Sequence, residues 1–399
     1  MKQQVLILGA GFAGMWAALS AARLTDLHDR SDIEITVLAP QPELRIRPRF
    51  YEAGVETFAP PLLPLFAATG VKFITGSASE IDVANKQVWY HTAQEQLAAI
   101  HYDRLVLATG SHINPIFPGA KEHAFDVDQL ESAARFEKHL NQLAEQPESD
   151  ARNTVVVCGG GFTGIELATE LPARLRAILG ETTQARVIVA DRSPVVGGRY
   201  SEELCDVIKQ ASDELGVEWM LNAEIAAIDE QGVTFKNGDF IASHTVVMTM
   251  GVQASPLTGQ ILATRDAQGR LHVDENLKVI GQDDIYATGD VAYARTDDKG
   301  NTALMTCQHA IMLGRFVGNN VAADIIGVAP HPYRQVNYVT CLDLGGFGAV
   351  FTEGWDQVVK STRAEAKKIK VAITSELIYP PKADKAIAFA AADPLAPFV

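Results

Sequence analysis

The chain has no closely spaced cysteines. Its four, Cys158, Cys205, Cys307 and Cys341, form no Cys-x-x-Cys pair. That excludes a disulfide-stapled secreted scaffold and fits a reducing cytoplasm. The ten histidines are scattered without zinc-ligand spacing, so no metal site is read. Positive charge is also short: 34 Lys and Arg stand against 49 Asp and Glu, a formal net charge of -15. Nucleic acid and anionic lipid both require clustered cations, so neither is an expected general partner. No apolar run approaches the ~18 residues of a membrane span. Met1–Ala22 has one Lys, an apolar stretch and Ser20-Ala21-Ala22, the outline of a leader peptide. Cleavage there would delete three regularly spaced glycines, so the segment is read as folded chain.

What is present is ordinary globular composition. With 399 residues, 47% of them hydrophobic and 21% charged, the chain can bury a sizeable core in two or three domains. The stretch Gln4-Val-Leu-Ile-Leu8 predicts a buried strand, and the Ala-rich Met15–Leu24 a helix. Between them lies Gly9-Ala10-Gly11-Phe12-Ala13-Gly14, and Ile33–Leu38 predicts the next strand. The same order recurs about 150 residues on. Strand Thr154–Cys158 leads into Gly159-Gly160-Gly161-Phe162-Thr163-Gly164, helix Ile165–Leu179 and strand Arg186–Ala190. A Gly-x-Gly-x-x-Gly turn between strand and helix makes a tight bend, admits a pyrophosphate to the backbone, and aims a helix N-terminus at it. Two copies in matching context predict two dinucleotide sites in a parallel α/β fold.

A dinucleotide site ends its second strand with an acid for the ribose hydroxyls. Asp191 fills that place in the second unit, followed by Arg192, which could meet a 2′-phosphate. The acid repels such a phosphate, so NADH is favoured over NADPH. The first unit has Ala39-Pro40 instead, so its ribose must be met by other groups.

Further motifs carry a resemblance. Leu105-Val-Leu-Ala108-Thr109-Gly110, Val247–Gly251 and Asp284-Ile-Tyr-Ala-Thr-Gly289-Asp290-Val291 resemble segments of the two-dinucleotide-binding-domain flavoproteins, the pyridine nucleotide-disulfide oxidoreductase superfamily. Arg47-Pro48-Arg49-Phe50-Tyr51-Glu52-Ala53-Gly54 and Gly161–Ala168 are similar to segments of the type II NADH dehydrogenases and apoptosis-inducing-factor-like oxidoreductases. The resemblance implies two Rossmann-like FAD- and NAD(P)-binding domains, the second inserted in the first, with a small α+β C-terminal domain. The expected boundaries are 1–115 plus 252–330 for FAD, 116–251 for NAD(P)H and 331–399 for the remainder. It implies that Asp290 holds the ribityl chain of FAD and that Glu166 orients the nicotinamide. Arg49, Ala78, Ala108, Thr109, Gly110, Gly251, Gly289, Gln308 and His309 are implied as further cofactor contacts.

Cys307-Gln308-His309-Ala310-Ile311-Met312 resembles the quinone motif Ala-Gln-x-x-x-Gln of that group, with Gln308 matching and Cys307 and Met312 departing. Gln308 is therefore the expected acceptor contact. Tyr379-Pro380-Pro381-Lys382 resembles the segment whose Lys approaches the flavin, whereas Lys367, Lys368 and Lys370 are read as a solvated helix face. The tail Ala386–Asp393 lacks a basic face, so peripheral membrane contact is unsupported. A homodimer is left open.

The implied reaction is hydride transfer from NAD(P)H to FAD, then electron transfer to a small-molecule acceptor, a quinone-like molecule or oxygen. It needs alignment rather than a side-chain acid or base. No cysteine precedes Cys158, so the disulfide-reductase route is excluded. Two other readings stand beside this one: a ferredoxin- or rubredoxin-type reductase, and a redox-sensing flavin- or dinucleotide-binding protein with little turnover.

Overall fold

The computed structural model describes residues 2–397. The first sheet is built from β1 (Gln3–Leu8), β2 (Ile33–Ala39), β3 (Lys72–Asp82) and β4 (Arg104–Leu107), with helix α1 (Phe12–Leu27) between the first two strands. The second unit follows, with β5 (Thr154–Cys158), α2 (Phe162–Leu179), β6 (Arg186–Ala190), β7 (Val217–Met220) and β8 (Thr245–Met248). Only then comes β9 (Ile285–Ala287), which pairs in parallel with β4 and completes the first sheet. The second unit is thus inserted in the first, as the motif order predicts.

The parallel part of the first sheet runs β9-β4-β1-β2-β3, and the second runs β7-β6-β5-β8 with Phe125–Asp126 at its edge. Strands covered on both faces read as unbroken apolar runs. Val5–Leu8 and Val155–Cys158 show this, each residue 0% exposed. Strand β3 runs on to Asp82, its far half pairing in an antiparallel meander with Gln87–Thr92 and Leu97–His101. Its polar second half, Ser77-Ala78-Ser79-Glu80, conceals that extension because half of the ribbon faces solvent.

Helix α3 (Cys307–Ile326) lies along α1. A Cβ at Gly318 would collide with the Ala17 carbonyl oxygen, so only glycine lets the two backbones approach so closely. This packing aims the N-terminus of α3 at the first glycine loop. Leu19, Leu313 and Val317 are 0% exposed here, each contributing about 2 kcal/mol of burial.

The C-terminal region is a three-stranded antiparallel sheet, β10 (Val339–Asp343), β11 (Ala349–Glu353) and β12 (Val358–Thr362), followed by α4 (Arg363–Ala372). Leu342, Leu344, Phe347 and Val350 pack on Ile165, Leu204 and Ile208 of the second unit. The final helix, α5 (Lys385–Ala391), folds back on α1, where Lys385 pairs with Asp26 and Arg23 with Asp393. No helix among the described residues is long and apolar enough to cross a membrane.

Candidate active site

Both glycine loops have the shape a pyrophosphate needs. A Cβ at Gly14 would collide with the Gly9 carbonyl oxygen, and one at Gly164 with that of Gly159. A Cβ at Gly11 or Gly161 would meet nothing within 4 Å, so the middle of each loop is open. Gly11 and Gly161 are the N-caps of α1 and α2, with no side-chain cap and no acid in the first turn. The first N–H groups of both helices are therefore free to hold an anion, and the helix dipole favours it. The backbones fit two dinucleotides.

In the second loop Asp191 is buried, accepting from the Gly160 N–H at 2.5 Å and the Ser193 N–H at 2.8 Å. Its carboxylate stands at the end of β6, where a ribose diol is read. Arg192 is exposed. The Thr249 hydroxyl donates to the loop at Cys158 O and Gly159 O, at 3.0 Å each. Gly251, at φ +84°, turns the chain out beyond Thr249. In the first unit Ala39 is buried and supplies no polar group. Ala78 lies on β3 opposite Tyr90.

The first loop is closed by two later segments. A Cβ at Gly9 would collide with the Ala108 carbonyl oxygen, so Ala108-Thr109-Gly110 abuts the loop. A Cβ at Gly289 would lie 2.7 Å from Ala13 Cβ, which sets the Gly289-Asp290 turn against the start of α1. Asp290 accepts from the Ser111 hydroxyl at 2.6 Å and from Arg47 at 3.4 Å. Arg47 also donates to Ser111 at 2.9 Å and pairs with Asp128. Arg47, Ser111 and Asp128 were not candidates from sequence. Arg49 was, but its guanidinium is bound to Glu52 at 2.6 Å, lies over the Phe58 ring and reaches Tyr379. Two arginines flanking Pro48 look alike in sequence, and the tight turn Arg47–Arg49 sends them different ways.

The N-terminus of α3 completes this seat. Thr306 caps it, accepting from the His309 N–H at 3.3 Å, and no acid stands in the first turn. Among the described residues, the side-chain oxygens of Gln308 and Thr109 are buried without a hydrogen-bond partner. A buried polar atom left unpaired costs about 1–3 kcal/mol, and FAD is a ligand of the right polarity to answer both. His309 is 0% exposed, and burial pushes its imidazole down to about 4, so it is neutral. Burial pushes the Cys307 thiol up to about 11 and those of Cys158 and Cys341 up to about 12. None is a thiolate near neutral pH, so none is primed as a nucleophile.

Glu166 is not a solvated first-turn acid. It is 7% exposed, and its Oε1 accepts from Lys370 Nζ at 2.6 Å and from the Asp343 N–H at 3.1 Å. Burial raises the Glu166 carboxyl, while Lys370 opposes that rise. Glu166 in turn holds the Lys370 ammonium charged against the same desolvation. This corrects the reading of α4: Lys370 is 6% exposed, and Lys367 binds the Asp343 carboxylate at 2.6 and 2.7 Å. Only Lys368 of the three is exposed. Lys382 is exposed too, and the lysine that enters the interior is Lys370. The Tyr51 hydroxyl donates to Asp343 at 3.0 Å, joining the arginine-rich segment to the same cluster.

The profile of the pyridine nucleotide-disulphide oxidoreductase family matches residues 3–314. The chain is similar to a NADH dehydrogenase-like protein of Mycobacterium tuberculosis, 42% identical over 383 residues, covering 95% of this chain and 94% of that one. It is also similar to the demethylphylloquinone reductase of Synechocystis, 28% identical and covering 88% of this chain and 87% of that one. Among solved structures, NDH2 of Plasmodium falciparum in complex with NADH matches with a TM-score of 0.79 at 14% identity, covering 98% of this chain and 97% of that one. That likeness concerns the fold alone. Two glycine loops, an acid at each later motif and a profile match across most of the chain converge: the chain belongs to the pyridine nucleotide-disulphide oxidoreductase family and is a flavoprotein NAD(P)H oxidoreductase.

Proposed function

We propose that the chain oxidises NADH and passes the electrons to a quinone-like small molecule. The observation that carries this is Gln308 at the tip of α3, whose side-chain amide nitrogen can donate to a quinone carbonyl. It occupies the one matching polar place of the quinone motif. The demethylphylloquinone reductase relative supports the acceptor class. The four thiols offer no relay: no cysteine precedes Cys158, and burial raises all four.

Each residue then has a defined task. Gly9, Gly11, Phe12, Ala13 and Gly14 cradle the FAD pyrophosphate, with Ala108, Thr109, Gly110 and Gly289 closing the loop around it. Asp290, held by Ser111 and Arg47, accepts from the ribityl hydroxyls. Gly159, Gly161, Phe162, Thr163 and Gly164 cradle the NADH pyrophosphate, and Asp191 holds its ribose. The Glu166–Lys370 pair forms a dry, charge-neutral floor beside the nicotinamide. Bound FAD supplies the two-electron redox chemistry, and the chain supplies alignment and exclusion of water.

Asp191→Ala is expected to raise the KM for NADH about tenfold, the equivalent of ~1.4 kcal/mol. The KM for NADPH should change less, because the lost acid no longer repels a 2′-phosphate. Steady-state kinetics with both nucleotides checks this, and an unchanged NADH KM would remove Asp191 from the ribose site. The acceptor is tested by reducing the flavin anaerobically and then adding a water-soluble quinone, oxygen or a ferredoxin. Reoxidation fastest with the quinone is expected. Reoxidation only with the ferredoxin contradicts the proposal.

A further inference from the structure

Three parts of the chain bring aromatic rings together in front of the second glycine loop. Phe162 opens α2, and its ring meets that of Tyr200 edge-on at 5.3 Å. The next residue, Ser201, is tied to the turn between β11 and β12. Its N–H donates to the Gln357 side chain at 3.1 Å, and its hydroxyl donates to the Gln357 carbonyl at 3.0 Å. That turn carries Trp355, which stacks on Tyr338 at 4.6 Å and 23°. Behind them His309 of α3 lies 5.4 Å from Tyr338 and 5.9 Å from Trp355. Through the Ser201–Gln357 link these contacts lead from the second glycine loop to the tip of α3.

Among the described residues several polar atoms of this arc have no hydrogen-bond partner, the buried Trp355 Nε1 and His309 Nε2 among them. Neither the Tyr200 nor the Tyr338 hydroxyl makes a hydrogen bond among the described residues. Tyr338 is 7% exposed and Tyr200 half-buried. Burial pushes the Tyr338 phenol up to about 12 and raises that of Tyr200 as well. Both therefore keep their protons at any working pH and present O–H donors.

We propose that the hydroxyls of Tyr200 and Tyr338 are the hydrogen-bond donors that receive the nicotinamide end of NADH, with the Trp355 stack fixing Tyr338 in place. A nicotinamide riboside presents acceptors on its carboxamide and ribose, which suit neutral donors, and a flat ring, which suits an aromatic wall. Tyr200 rides on the NADH unit and Tyr338 on the strand leading to the Glu166–Lys370 cluster, so together they close on the ring from two sides. This rests on the second glycine loop holding NADH.

The test compares NAD+ with ADP-ribose, which keeps the adenosine and pyrophosphate but lacks nicotinamide. Binding of each to the flavin-loaded protein is measured by calorimetry. Tyr200→Phe and Tyr338→Phe keep the rings and should each weaken NAD+ about 3- to 10-fold, one net hydrogen bond, leaving ADP-ribose unchanged. Trp355→Ala should weaken NAD+ as Tyr338→Phe does, again sparing ADP-ribose. Unchanged NAD+ affinity in both Phe variants overturns the proposal, as does an equal loss for ADP-ribose, which would mean a structural role only. If the unaltered protein binds neither compound, the underlying assignment of the second loop fails instead.

Discussion

Lys370→Met is expected to destabilise the folded protein by about 3–5 kcal/mol, because it strands the Glu166 carboxylate in a dry interior. The pair is 2.6 Å apart, with both side chains 8% exposed. Without the ammonium, desolvation, the largest influence, and the neighbouring Asp343 charge both raise the Glu166 carboxyl, and only the hydrogen bond from the Asp343 N–H lowers it. A carboxyl whose folded-state value lies above its unfolded value adds stability while protonated and loses it as pH rises. The variant should therefore be least impaired in acid and lose up to ~1.4 kcal/mol per pH unit as pH climbs through the interval between the two values. Glu166→Gln/Lys370→Met removes both charges and should recover much of the loss. Urea unfolding at several pH values measures this. A single variant with unaltered midpoint and no new pH dependence would mean the pair is not buried as described.

Gly14→Ala and Gly164→Ala should separate the two cofactors. In each, the added Cβ meets a backbone carbonyl oxygen across the loop, at Gly9 or Gly159, and backbone cannot step aside as a side chain can. Gly14→Ala should yield protein with little or no bound FAD. Gly164→Ala should stay yellow yet bind NAD+ roughly 100-fold more weakly, about 2.7 kcal/mol. Far-UV circular dichroism confirms that each variant folds, and absorbance and calorimetry read the two losses. Loss of flavin from Gly164→Ala with normal flavin in Gly14→Ala would exchange the assignments of the loops.

Both loops were readable in the sequence because their meaning is local. A glycine triplet between an apolar run and an Ala-rich helix defines a backbone shape, and flanking strands supply its context. The placement of the Gly289-Asp290 turn beside the first loop was readable for the same reason, inside an unbroken motif. Lys370 was not. Lys367-Lys368-Ile369-Lys370 resembles any solvated turn of helix, and the partner that buries Lys370 is Glu166, 204 residues away. Arg47 was missed in favour of Arg49 because only the turn around Pro48 distinguishes them. Strand β12 escaped because the turn before it, Gly354–Gln357, has no Asn-Gly or Asp-Gly signature, although Gly354 and Gln357 both take positive φ there. Pairings that span the chain, and turns held by uncommon residues, leave no local pattern to read.

The most direct test of the central claim is anaerobic stopped-flow mixing of the FAD-loaded protein with NADH, and with NADH deuterated at the transferred position. The account predicts rapid bleaching of the flavin band, slowed by deuterium, with Asp191→Ala requiring more NADH to reach the same rate. A flavin that NADH does not bleach, or that bleaches equally fast with either isotope and at equal nucleotide concentration in Asp191→Ala, would contradict it.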